Sequence, residues 1–99
     1  MTQTAIELPR ISNYGKYSSD NYGAHTLEVS VGPFRLYYSY STLVAFRAPG
    51  MDLVVRTNDW GPTTGKHLNW IDGGNPKSRI SGTAFEAKWA EAQTAVFHE

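Results

Sequence analysis

From His25 the chain alternates strictly, with Leu27, Val29 and Val31 on one side and Thr26, Glu28 and Ser30 on the other, the pattern of a strand with one wet face. Gly32-Pro33 turns the chain. The next run alternates in the same way, Phe34, Leu36, Tyr38 and Tyr40 inward against Arg35, Tyr37 and Ser39 outward, so the two runs predict a hairpin. A third strand over 43–47 is denser in apolar residues, and Ala48-Pro-Gly50 leads to a fourth over 52–57. The segment 24–57 is therefore expected to be a four-stranded antiparallel meander. By parity its outer face carries Arg35, Tyr37, Leu43, Ala45, Arg47, Val54 and Arg56, accompanied by Thr26, Glu28 and Asp52.

The last segment is the clearest helix. Phe85, Trp89, Ala92 and Val96 recur at spacings of four, three and four, which puts them on one stripe and predicts a helix over 81–97 lying on the core face of the sheet. Thr83 with Glu86 offers a capping box, and Ser81 offers a cap slightly earlier. In the intervening 58–80, Thr63 or Thr64 can cap a short helix over 66–72 that Gly73-Gly74 would stop; alternatively these residues form an ordered loop, because Gly65 weakens an early helical turn. Residues 1–23 read as an irregular arm, with Asn-Tyr-Gly at 13–15 and again at 21–23; Tyr14, Tyr17 and Tyr22 either cover an edge of the core or stack on a partner. The expected fold is α+β, a single domain over 1–99. It comprises a four-stranded antiparallel sheet, a C-terminal helix packed on one face, and a short helix or ordered loop near 63–72.

Several stretches carry a family likeness. Ser39-Tyr-Ser-Thr-Leu-Val-Ala-Phe-Arg47, Leu53-Val-Val-Arg56, Asn58-x-Trp60 and Thr63-Thr-Gly-Lys-His-Leu-Asn69 with Ile71-Asp72 resemble an uncharacterised family of small proteins found in phages, plasmids and microbial genomes. The likeness runs from about Ile11 to the C-terminal helix. It implies a shared fold and a mobile-element setting, and it transfers no catalytic residue.

Composition narrows the function classes. With 99 residues, 40 % of them apolar, the chain has material for one core without metals or cross-links. The absence of cysteine excludes disulfides, thiolate zinc sites and cysteine nucleophiles, and fits a cytoplasmic location. Neither a secretory signal nor an apolar run of roughly 18 residues is recognisable, so neither export nor a membrane span is expected. Nine Lys plus Arg balance nine Asp plus Glu, which argues against nonspecific attraction to nucleic acid unless basic residues cluster locally.

The candidate chemistry concentrates in 58–72. Gly61-Pro-Thr-Thr-Gly65-Lys66-His67 is not a phosphate-binding P-loop, which needs four residues between its glycines and a hydroxyl residue after the lysine. His25, His67 and His98 lack the spacing of a metal site, and no cofactor is expected. No nucleophile elbow occurs, so no catalytic residue is assigned. Trp60 and Trp70 read either as core lids or as ligand platforms, and the three tryptophans could pack together. The reading favoured by the residues is a non-catalytic binding module, encoded by a mobile element, that recognises a protein partner or self-associates; inhibition of a host defence protein is one concrete form. Its expected binding residues are Arg35, Tyr37, Arg47 and Arg56 on the sheet face, with Trp60, Thr64, Lys66, His67 and Asn69 in the following motif. The alternatives are a nucleic-acid-binding accessory protein using the same arginines, and a small enzyme using His67 beside Asp59 or Asp72.

Overall fold

A computed structural model of the chain describes residues 10–15 and 25–97. It is α+β, as the patterning implies, but the antiparallel sheet has five strands rather than four. They are β1 (Arg10–Ser12), β2 (Thr26–Val31), β3 (Phe34–Ser39), β4 (Thr42–Arg47) and β5 (Val54–Val55), in the spatial order β1-β2-β3-β4-β5. Two helices follow, α1 (Pro62–Asp72) and α2 (Gly82–Phe97), separated by one 3₁₀ turn at Pro76–Ser78. The additional strand, β1, pairs with β2 through Ile11 opposite Val29, and all three of its residues are exposed. With nothing buried along it, β1 has no alternation for the sequence to display. Expectations for Tyr17, Tyr22 and His98 lie outside the described residues.

The core face holds as predicted. Phe34, Leu36, Phe46, Phe85 and Ala92 are buried together, with Val29, Val31, Tyr38 and Trp89 packed around them. The Phe46 ring lies 5.4 Å from Phe85 and 5.0 Å from Trp89, and Phe34 lies 5.2 Å from Trp89. Each such side chain contributes roughly 1.5–3 kcal/mol of burial, which fastens α2 to the sheet. Ser81 is the cap of α2: its hydroxyl accepts from the Ala84 amide at 3.2 Å and its carbonyl from Phe85 at 2.8 Å.

The opposite face departs from expectation, because α1 covers part of it. Leu68, fully buried, packs with Tyr14, Tyr37, Val44, Ala45 and Val55, and Ile71 borders the same cluster. The segment near 63–72 is thus a helix. Gly61 is its N-cap with no side-chain bond, Pro62 occupies the first turn, and Gly73 closes it at φ 74°. Neither Thr63 nor Thr64 serves as the cap.

A bulge accounts for Leu43, which parity puts outward and which lies on the α2 side. Tyr37 pairs with Ala45 but Tyr38 pairs with Leu43, so Val44 is an extra residue in β4. Val44 and Ala45 then join the α1 cluster, while Leu43 and Phe46 join the α2 cluster. Past the bulge Ala45 and Arg47 keep the outer side that parity assigns them, and the departure comes in β5. Val54, opposite Phe46, packs beneath α2 rather than facing solvent.

Candidate functional site

A polar knot lies where α1 crosses the end of β3. The Ser39 hydroxyl is 2.9 Å from Thr64 Oγ1 and 2.7 Å from His67 Nδ1, and all three residues are buried, His67 completely. Beside them Thr26 Oγ1 accepts from the Tyr14 amide at 3.0 Å and donates to the Tyr14 carbonyl at 3.0 Å. The Tyr14 hydroxyl donates to the Tyr38 carbonyl at 2.9 Å. Buried polar groups left unsatisfied cost about 1–3 kcal/mol each, so this network fixes the seating of α1 on the sheet. A serine–imidazole contact of this length is the one a nucleophile and its base use. Here the same hydroxyl also holds Thr64, and Ser39 is only 3 % exposed.

Next to the knot opens a cleft of about 320 Å³, lined by Ser39, Tyr40 and Thr42 from the β3–β4 turn and by 60–64 from the approach to α1. Ser39 pairs with Thr42, leaving Tyr40 and Ser41 as a two-residue turn. Tyr40 has φ 57°, the one positive value at a non-glycine among the described residues. Glycine is usual where the first turn residue is left-handed, and an L side chain there costs roughly 1–2 kcal/mol. The Tyr40 amide donates to the His25 carbonyl at 2.8 Å and its ring stacks on His25 at 4.4 Å, yet the residue remains 50 % exposed. The inward position expected for Tyr40 is therefore corrected: the turn swings it to the cleft mouth.

Trp60 forms the facing part of the lining and is 46 % exposed. Asn58 shapes its loop: its side-chain Nδ2 donates to the Gly61 carbonyl at 3.0 Å, and its Oδ1 accepts from the Trp60 backbone amide at 3.0 Å. A Cβ on Gly65 would stand 3.1 Å from that Asn58 nitrogen, which gives the glycine in α1 a packing reason. Trp60 and Trp70 are both exposed rather than core lids, and Trp70 leans on Tyr14 while Trp89 joins the α2 core. The three tryptophans do not gather.

The expected arginine face does not assemble as one set. Arg35 and Arg47 are cross-strand neighbours, both exposed, and Arg35 pairs with Glu28 at 3.3 Å. Tyr37 lies buried under α1, 5.6 Å from Tyr14. Arg56 follows Val54 to the α2 side. There its guanidinium sits 4.8 Å from the Trp60 ring and 5.6 Å from Phe85, with Asp59 at 3.5 Å and its Nε buried without a partner. Arg56 thus backs Trp60. Lys66 and Asn69 are exposed on α1, where Asn69 Oδ1 accepts from Arg79 at 3.0 Å. Of the nine expected residues, Trp60, Thr64 and His67 meet around the cleft, joined by Ser39 and Tyr40. The missed residues had one signal: a two-residue connection, Tyr40-Ser41, lacking the Gly, Asn or Asp that such turns favour.

A second ionic feature pins the far end of α1. Arg79 Nε reaches Asp72 Oδ2 at 2.6 Å and its Nη2 reaches Oδ1 at 2.9 Å, with both side chains under a tenth exposed. Burial raises the Asp72 pKa, but the Arg79 hydrogen bonds, the Gly74 amide and the Arg79 charge outweigh it and hold the carboxyl below its ordinary value. The bidentate pair offsets a carboxylate at the negative end of a helix.

Among the described residues no helix is long and apolar enough to cross a membrane, and no group of three or more His, Asp or Glu is arranged to hold a metal ion. No curated protein and no solved structure matches the chain. Residues 6–87 match a family profile described as "Family of unknown function (DUF8033)", and the chain belongs to that family.

Proposed function

We propose that this chain is a non-catalytic binding module that recognises a protein partner, with the cleft between Tyr40 and α1 at the centre of the contact. The observation that carries the reading is Tyr40, an aromatic side chain held in a backbone conformation that disfavours it and left half exposed beside an equally exposed Trp60. Strain of this kind persists where surrounding structure imposes it, and it concentrates at ligand clamps. Tyrosine and tryptophan are also the side chains on which interface energy concentrates. The Ser39–Thr64–His67 knot supports this role from below, and burial of His67 speaks against its use as a catalytic base. In the mobile-element setting implied by the family likeness, the partner would be a host protein, and blocking a defence factor is one such role.

Capture from a lysate of the encoding cells, with mass-spectrometric identification, tests the reading. Wild-type protein should retain a partner that the Tyr40→Gly, Trp60→Ala double variant loses, with circular dichroism unchanged. Equal capture by both proteins would refute the cleft as the contact. Sedimentation at increasing concentration separates self-association, which the same variant should abolish.

A nucleic-acid reading is favoured by one observation, the exposed Arg35 and Arg47 side by side across β3 and β4, where the Glu28 carboxylate beside Arg35 offsets one of the two charges. It predicts oligonucleotide affinity that falls steeply with salt and is lost in Arg35→Glu, Arg47→Glu. No binding at low salt discards it.

A further inference from the structure

The chemistry of the cleft lining specifies its occupant more narrowly than a protein surface in general. None of the lining residues is acidic, basic or histidine, so nothing there complements a charged ligand. Among the described residues the hydroxyls of Tyr40, Thr42 and Thr63 and the indole N–H of Trp60 have no protein partner. The amides of Thr63 and Thr64 also precede the first helical bond, from Gly65 to Gly61 at 3.0 Å. The indole and the amides can only donate. The hydroxyls serve either way and no lining side chain can only accept, so the uncharged, aromatic lining complements a neutral, apolar ligand whose free groups are acceptors.

A proline-rich segment in the polyproline II conformation has these properties. Proline lacks the backbone N–H, the extended helix makes no internal hydrogen bonds, and its carbonyls stand free to accept. Its rings pack on exposed tyrosine and tryptophan, and its stiffness lowers the entropy lost on docking. The cleft volume of about 320 Å³ sits at the lower end of ligand-sized sites, as suits a shallow contact with a few residues. We propose that the Tyr40–Trp60 cleft binds a neutral proline-rich segment of the partner, hydroxyl and N–H donors of the lining meeting its carbonyls. The inference rests on the protein-binding reading above and names the chemistry of the partner.

The test uses the full chain and three blocked probes: a hexaproline peptide, an alanine–serine peptide of equal length, and a neutral oligosaccharide. Amide and indole chemical shifts are followed by NMR as each is added. Hexaproline is expected to shift the Trp60 indole and to bind at least tenfold tighter than the alanine–serine peptide. Trp60→Ala should weaken binding at least tenfold, and Trp70→Ala should leave it unchanged. Equal binding of the two peptides, preference for the oligosaccharide, or no shifts at millimolar probe overturns the proposal. If a partner is still captured in a Trp60-dependent way while hexaproline fails, only the proline chemistry falls. If neither occurs, the protein-binding reading falls with it.

Discussion

Arg79→Met should cost the domain about 3 kcal/mol at neutral pH, because it leaves the Asp72 carboxylate buried with its main partner gone. The side chains of Asp72 and Arg79 are 5 % and 7 % exposed, so water cannot replace the lost bonds without opening the end of α1. Methionine retains most of the stem, which confines the change to the charge and its donors. In wild type the carboxyl is held below its ordinary value, so its contribution is fully present above the unfolded pKa of about 4 and is lost as pH falls through the lower folded value. In the variant, burial acts unopposed by Arg79 and raises the folded value, so protonation relieves the strain instead. The gap between the two proteins should therefore narrow as pH drops from 7 to about 3. Urea titrations at both pH values measure this, and thermal melts at pH 7 should fall by about 12 °C or more for a domain of this size. A loss under about 0.5 kcal/mol, as for a surface pair, or a gap independent of pH would refute the reasoning.

Two further predictions probe the packing around the cleft. Ser39→Ala removes the shared partner of Thr64 and His67 and should destabilise by about 2 kcal/mol in urea titrations; a change within experimental error would show that the knot does not seat α1. Gly82→Ala, which helix propensity alone would favour by up to about 1 kcal/mol, should raise the melting temperature by less than that gain implies, because the new Cβ would lie 2.2 Å from Arg56 Nη2 and push the guanidinium off the Trp60 and Phe85 rings. The same change in an Arg56→Ala background should raise it by more, and identical effects in both backgrounds would break the argument.

The legible parts of the fold were those in which burial repeats locally. Alternation in β2 and β3, the Phe85–Trp89–Ala92 stripe and the stop at Gly73 each leave a periodic or conformational mark in the chain. Features settled by distant partners left none. β1 buries nothing, and Thr26, Tyr37 and Ser39 look like a wet strand face until α1 closes over them. Asp72 and Arg79 are seven residues apart in unlike segments, so no helical spacing connects them. For the site, Trp60, Thr64 and His67 stood out because their motif lacks a packing pattern. The arginines do not share one face because alternation within 52–57 does not say which side of the sheet each residue meets; pairing of Val54 with Phe46 decides that.

The extra residue at Val44 makes β4 tolerant of shortening at one point. Deleting Val44 would leave Leu43, Ala45 and Phe46 in plain alternation against Tyr38, Tyr37 and Leu36, with Val54 still opposite Phe46 beneath α2, and would remove only one of the side chains on which α1 rests. Sequence drift is thus free to drop this one residue, and a relative shorter by one here would keep the same faces with a thinner seat for α1.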